Sequence, residues 1–248
     1  MDPHSDTLSA ARSFGAAASV YGAARPGYPT EAVGWLVGDS RRVLDLGAGT
    51  GRLTEALVAL DLDVVAVDPV EEMLEELELR VPGVPRILGT AEDLPIEDAA
   101  FDAVVVGQAW HWFMPERAVP EIARVLRPGG VLGLAWNARD TASADWLREA
   151  GELMHERHDA SASVDSVVGP GRPFGAVESH RVEWTMRMSR ARFLDLVRSR
   201  SHWLTSPPAE QGAVVAAIEE LLAAHPDLVG AEDLEVPYVT HCFRAVLR

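Results

Sequence analysis

From residue 43 to residue 136 the chain alternates short apolar runs with helical patterns. No other feature limits its fold as much. VLDLG (43–47), VVAVD (64–68), residues 84–89, FDAVVVG (101–107) and VLGLAW (131–136) read as five strands. The intervening helices carry Leu53, Ala56, Leu57 and Leu60 on one face, then Met73, Leu74 and Leu77. A further helix over 116–127 is stopped by Pro128-Gly129-Gly130. Strands covered on both faces read as unbroken apolar runs, whereas half-exposed strands alternate. Strands of the first kind, separated by helices, require right-handed crossovers and build a doubly wound parallel sheet with helices on both faces.

Outside that stretch the pattern changes. Residues 1–12 are small and polar, and 13–28 read as a short helix and a turn outside the repeat. A helix near 144–157 buries Trp146, Leu147, Ala150 and Met154, and 159–176 is a loop rich in Gly, Pro, Ser and Val. Residues 181–188 alternate, with Val182, Trp184, Met186 and Met188 on one side and Glu183, Thr185 and Arg187 on the other. That is a half-buried strand. Helices near 190–200 and 208–224 and a strand over 236–247 follow. The two closing strands bring the mostly parallel sheet to seven.

Charge and cysteine usage narrow the function classes. The formal net charge is -16. Such a surface repels phosphate backbones, so a nucleic-acid partner is not expected. Arg190, Arg192, Arg198 and Arg200 cluster around one helix and read as a solvated face. Cys242 is the single cysteine of the 248 residues. It reads as a small core residue of a protein of the reducing cytoplasm. No apolar run reaches the ~18 residues of a membrane span, so no membrane insertion is expected. The first residues lack the basic and apolar regions of a signal peptide. Nothing in the pattern fixes an oligomeric state.

The chemistry-bearing signal is Asp45-Leu46-Gly47-Ala48-Gly49-Thr50-Gly51-Arg52, between a strand and a helix. Glycines let a backbone turn tightly and approach a ligand closely, and a helix N-terminus offers free N–H groups. Dinucleotide enzymes use Gly-x-Gly-x-x-Gly, whose third glycine serves helix–sheet packing. Here that position is Arg52, which disfavours an NAD-dependent oxidoreductase. The glycines fall at every second residue instead, behind an acid.

VLDLGAGTGRLT resembles the first motif of class I S-adenosylmethionine-dependent methyltransferases. Asp68, at the end of the second strand, resembles their ribose-binding acid. Gly89-Thr90-Ala91-Glu92-Asp93-Leu94-Pro95 resembles their adenine-contacting loop, and Arg127-Pro128-Gly129-Gly130 their turn before the fifth strand. The order and spacing match over about residues 20–140. The resemblance implies a Rossmann-like fold and S-adenosyl-L-methionine as cofactor. Its site falls on Asp45, Gly47, Gly49, Gly51, Asp68, Ala91, Glu92 and Asp93, with Asp45 near the cofactor's ammonium. Read without the resemblance, Asp45 is a buried acid capping the turn, Asp68 a helix N-cap and Glu92-Asp93 a solvated acidic turn. The implied organisation is an N-terminal segment (1–28) able to act as a lid, a cofactor-binding core (29–140), and a C-terminal part of the same domain (141–248) adding substrate-side helices and closing strands.

Ligands of open parallel sheets lie at the carboxyl ends of the strands. After the fourth strand comes Gln108-Ala109-Trp110-His111-Trp112-Phe113. The Asn/Asp-Pro-Pro-aromatic motif of base-methylating enzymes is absent there, and so are the clustered acids of metal-dependent catechol enzymes. No metal is expected; His155 and His158 lack a third ligand. The His-Trp pair and Tyr21-x-x-x-Arg25-Pro26-x-Tyr28-Pro29 resemble the type 11 group that includes trans-aconitate methyltransferases. That implies a small-molecule acceptor methylated on a carboxylate or hydroxyl oxygen. Arg25 is the candidate contact to the cofactor carboxylate, Trp110, Trp112, Tyr21 and Trp203 line the acceptor pocket, and Gln108 faces cofactor and acceptor. Gln108 and Trp112 are expected to donate to the acceptor oxygen. His111 is either the general base for an alcohol or an orienting group. A cofactor-binding protein without methyl transfer remains the alternative.

Overall fold

The computed structural model describes residues 25–154, 173–198 and 206–248. Seven strands form one sheet: β1 (Arg42–Leu46), β2 (Asp63–Asp68), β3 (Arg86–Leu88), β4 (Phe101–Gly107), β5 (Leu126–Arg139), β6 (Glu178–Ser189) and β7 (Asp233–Val246). The order across the sheet is β3-β2-β1-β4-β5-β7-β6. Strands β1 to β5 are mutually parallel, and β7 runs antiparallel to both β5 and β6. This is the doubly wound, Rossmann-like sheet expected from the apolar runs. Its order reverses between β1 and β4, which opens a crevice at their carboxyl ends.

Alternate residues of the central strands feed two cores. Val43, Val64, Ala103 and Val105 pack with α1 (Thr30–Val37) and α2 (Arg52–Val58) on one face. Leu44, Leu46, Val104, Val106, Leu132 and Leu134 pack with α4 (Pro115–Val125) on the other. Between these in sequence, α3 (Glu71–Arg80) sets Leu74 and Leu77 against Ala66. Helix α4 begins on Pro115 and turns Ala118, Val119, Ile122 and Val125 inward. Its internal Pro120 is exposed, so the carbonyl it leaves without a helical partner faces water. A third core gathers α5 (Asp145–Leu153), α6 (Arg190–Arg198), α7 (Pro208–Ala224) and the strands β6 and β7. The aromatic residues Trp146, Phe193 and Tyr238 are buried there, as the amphipathic patterns predict.

Three local expectations are corrected. Helix α1 lies where no element was expected, because Pro29 and the Ala-rich lead-in mask the spacing of Ala32, Val33, Leu36 and Val37 that it buries. The Pro128-Gly129-Gly130 turn is a bulge within a strand. Leu126 already pairs with Phe101, pairing resumes at Val131 with Ala103, and the residues between are looped out. Arg190 is no solvated charge, for its guanidinium donates to the carbonyls of Leu222, Leu228 and Ala231, clamping the end of α7 to the approach to β7. Asp98 forms an ion pair with Arg124. Cys242 is buried as expected, and burial pushes its thiol up to about 12. Among the described residues no helix is long and apolar enough to cross a membrane.

Ile122 is fully buried at the centre of the α4 face. Ile122→Ala should lower the unfolding free energy by about 2–5 kcal/mol, through lost burial and an unfilled cavity. Leu79 is 77% exposed, so Leu79→Ala should change it by less than about 0.5 kcal/mol. Urea unfolding of both variants checks the contrast.

Candidate active site

The glycine turn sits at the carboxyl end of β1, against the switch point. Gly47, Gly49 and Gly51 have φ of 72°, 53° and 82°, a left-handed conformation that side chains rarely adopt. Gly47 is also a point of close approach, where a Cβ would stand 2.6 Å from Ala109 Cβ. A Cβ on Gly49 would meet nothing within 4 Å, so the middle of the turn faces open space. The N–H groups of Gly47 and Ala48 both donate to Val67 O, at 2.8 and 3.0 Å. They bind the turn to the end of β2.

Two carboxylates frame this turn. Asp68 Oδ2 accepts from Gly49 N at 2.9 Å, and Oδ1 accepts from Val70 N at 2.9 Å. Asp68 therefore braces the loop, while Val70 takes the N-cap position of α3. A carboxylate has four acceptor sites, which leaves room for two further donors. Burial pushes its pKa up to about 6 against those two N–H groups. Asp45 is fully buried beneath the turn. Its Oδ2 accepts from Thr54 Oγ1 at 2.6 Å, and its Oδ1 has no partner among the described residues. Burial pushes its pKa up to about 7; the Thr54 hydroxyl opposes the shift and the neighbouring Asp68 adds to it.

The loop 90–95 approaches the same crevice from beyond β3. Ala91 is buried and Asp93 exposed. Glu92 Oε1 accepts from Met114 N at 2.8 Å, so it braces the loop against the start of α4. Glu121 Oε2 accepts from Leu94 N at 3.0 Å. Arg124 donates to the Leu94 and Ile96 carbonyls at 2.9 and 2.7 Å. Glu121 and Arg124 were missed in the sequence, where their spacing on one helix face signals only an ordinary surface pair.

At the end of β4, Gln108 holds a φ of 59°. Its N donates to Ala135 O at 2.9 Å and its Nε2 to Asn137 O at 2.8 Å. Gln108 thus ties β4 to β5 through its main chain and one amide hydrogen. A short 3-10 turn over Trp110–Trp112 follows. Trp110 is 2% exposed and packs edge-on to Phe113 within the main core, so it supports the mouth from behind and does not line it. His111 and Trp112 stand together at the mouth, ring centroids 4.8 Å apart. The desolvation of its ring and the charge of Arg25 hold the His111 pKa below the ordinary imidazole value. Both effects favour the neutral imidazole, the form a general base needs.

Arg25 thus belongs to the same mouth as His111. Tyr28 joins it from the lead-in to α1: a Cβ on Gly107 would lie 2.5 Å from the Tyr28 hydroxyl oxygen. Gly107 was missed in the sequence, where a glycine ending a strand signals only a turn. Tyr21, Trp203, His155 and His158 lie outside the described residues. Among the described residues no group of three His, Cys, Asp or Glu is placed to hold a metal ion.

This crevice has counterparts in known proteins. A family model described as a methyltransferase domain matches residues 44–134, the stretch from β1 to β5 that carries the turn, both framing acids and the mouth. A structure from Anaeromyxobacter dehalogenans, provisionally assigned as a type II methyltransferase, superposes with a TM-score of 0.69 at 26% identity, covering 90% of this chain and 97% of its own. A phosphoethanolamine N-methyltransferase of Haemonchus contortus, solved with S-adenosyl-L-methionine, shares the fold at a TM-score of 0.50 and 18% identity, covering 88% of this chain and 52% of its own. An uncharacterized methyltransferase of Mycobacterium tuberculosis is 50% identical over 236 residues, 95% of this chain and 96% of the relative. With glycine turn, framing acids and full-length similarity in agreement, the chain belongs to this methyltransferase family.

Proposed function

We propose that the protein transfers a methyl group from S-adenosyl-L-methionine to an oxygen, carboxylate or hydroxyl, of a small molecule. One observation carries the cofactor part. A fully buried carboxylate, Asp45, keeps one oxygen without a partner among the described residues, directly under a glycine turn with open space at Gly49. An isolated buried carboxylate is costly unless a cation meets it. The ammonium of the cofactor's amino-acid end supplies one. Asp68 has acceptor sites left for the two ribose hydroxyls, and the loop at Ala91 and Asp93 supplies backbone groups and a carboxylate for the adenine edge. Nothing in this donor set conflicts with the cofactor.

When bound, the cofactor supplies an electrophilic methyl on a sulfonium. The protein's work is alignment, which can lower a barrier by ~7–11 kcal/mol. A carboxylate acceptor is ionised at neutral pH and needs no base. For an alcohol, the neutral imidazole of His111 takes the proton as the oxygen attacks. Trp112 shapes the mouth and its indole N–H donates to the acceptor. Arg25, on a lead-in segment that acts as a lid, meets the cofactor carboxylate. The net charge of -16 supports a small molecule over a nucleic acid.

Titration calorimetry with S-adenosylhomocysteine tests the cofactor part. A methyl-release assay across small carboxylic acids and alcohols tests the acceptor. Binding without turnover of any acceptor points to the non-catalytic alternative. Binding of NADH in place of the nucleoside thioether overturns the reading.

Two predictions follow from the acids and the imidazole. Binding a cation beside Asp45, and hydroxyl donors beside Asp68, favours both charged forms. The affinity for S-adenosylhomocysteine should therefore climb from about pH 5 to about pH 7, where Asp45 and Asp68 with pKa values of about 7 and about 6 lose their protons. In Asp45→Asn that climb should stop near pH 6, and affinity at pH 8 should fall at least tenfold. The unliganded variant should melt higher than the parent at pH 8. A carboxyl raised in the folded state above its ordinary value of 3.8 favours folding only while protonated, and that contribution disappears as pH rises through about 7. A lower melting point at pH 8 would contradict this. His111→Ala should reduce turnover of an alcohol by about 10²–10⁴-fold, while a carboxylic acid loses far less.

A further inference from the structure

Behind the mouth lies a directional chain of partly buried hydrogen bonds that the chemistry above does not use. Trp184 Nε1 donates to Thr240 Oγ1 at 2.9 Å. Thr240 Oγ1 donates to Asn137 Oδ1 at 2.6 Å. Asn137 Nδ2 donates to Gly27 O at 2.9 Å, and Gln108 Nε2 donates to Asn137 O at 2.8 Å. The chain crosses from β6 through β7 and β5 to the segment before α1 and the end of β4.

Its polarity is fixed at one end. An indole N–H can only donate. Thr240 Oγ1 therefore accepts from Trp184 and turns its own proton to Asn137. That selects the carbonyl side of the Asn137 amide and turns the NH2 group towards Gly27. Trp184 is held in turn by stacking on Tyr238, centroids 5.0 Å apart at 24°. Asn137 and Thr240 face each other in the β5–β7 register, and the ladder there is a backbone structure that apolar side chains also permit. Thr240 is fully buried. A partly buried polar chain that the ladder does not require stabilises little over an apolar pair, so its effect lies in what its free end holds.

That end holds two parts of the mouth. Gly27 lies between Arg25, which acts electrostatically on His111, and Tyr28, which packs on Gly107. Gln108 is kept in a left-handed conformation that a non-glycine residue holds only where its surroundings impose it.

We propose that Asn137 is a positioning residue for methyl transfer, whose amide, oriented by Trp184 and Thr240, latches the lead-in segment at Gly27 and thereby sets Arg25 against the carboxylate of the bound cofactor. The inference rests on the cofactor reading above. It differs from a purely structural role in predicting which part of the ligand loses affinity.

The test uses the full chain and two ligands: S-adenosylhomocysteine, and 5′-methylthioadenosine, which lacks the amino-acid end. Asn137→Asp keeps the shape and the acceptor for Thr240 but turns an oxygen towards the Gly27 carbonyl. It should weaken S-adenosylhomocysteine about tenfold, equivalent to about 1.4 kcal/mol, and leave methylthioadenosine within about twofold. Thr240→Val should reproduce the split more weakly. Thr240→Ser, which keeps the hydroxyl, should restore parental affinity; this pair carries the test should Asn137→Asp misfold. Equal losses for both ligands, or none for either, overturn the proposal while leaving the cofactor assignment standing. If the parent protein binds neither ligand, the cofactor reading itself falls.

Discussion

The hydrogen bond from Gly49 N to Asp68 Oδ2 joins the two ends of the sheet that matter most. It links the loop leaving β1 to the last residue of β2, at 2.9 Å. With Gly47 and Ala48 donating to Val67 O, it sets the path of the glycine turn before any ligand arrives. The left-handed conformations at 47, 49 and 51 follow from that path, and so does the placement of Asp45 underneath. Preorganisation of this kind means that a ligand does not have to order the loop when it binds.

The arrangement carries a thermodynamic tension. Asp45 and Asp68 are both buried near one another, and burial raises both pKa values. In the unliganded protein this disfavours their charged forms at neutral pH, so stability is given up at the place where binding is gained. On the proposed reading, a cation over Asp45 and hydroxyls over Asp68 would reverse the balance. The two acids do not share the load equally. Asp68 accepts two backbone N–H groups and its pKa rises less, whereas Asp45, wholly buried and beside Asp68, has only Thr54 as a donor and rises more.

The parts of this protein legible in its sequence are those set by local spacing. Continuous apolar runs located the central strands because both faces of β1, β2, β4 and β5 are covered. The alternation at 181–188 located β6 because one side of it faces solvent: Val182 and Met188 are buried, while Glu183 and Arg187 are exposed. Asp45, Asp68 and the three glycines were legible because turn and acid lie within one strand–turn–helix unit or at the next strand end. What escaped depends on contacts between distant positions. Nothing local in the sequence signals that Glu92 accepts from Met114 N or that Gln108 donates to Asn137 O. Trp110 and Trp112 are two residues apart with the same composition around them. The 3-10 turn sends one into the core and leaves the other at the mouth, and no periodicity encodes that difference.

The closing strands have a consequence beyond completing the sheet. Because β7 runs antiparallel between β5 and β6, its first half, with Tyr238, Val239 and Thr240, lies beside the carboxyl end of β5 on the ligand side of the sheet. Thr240 thereby stands beside Asn137, and Trp184 reaches them from the edge strand. The same strands wall off a separate core with α5, α6 and α7. A parallel β7 would need another crossover and would present a different set of side chains to β5. The reversed strand therefore lets the region that differs most from a simple strand–helix repeat reach the mouth through hydrogen bonds.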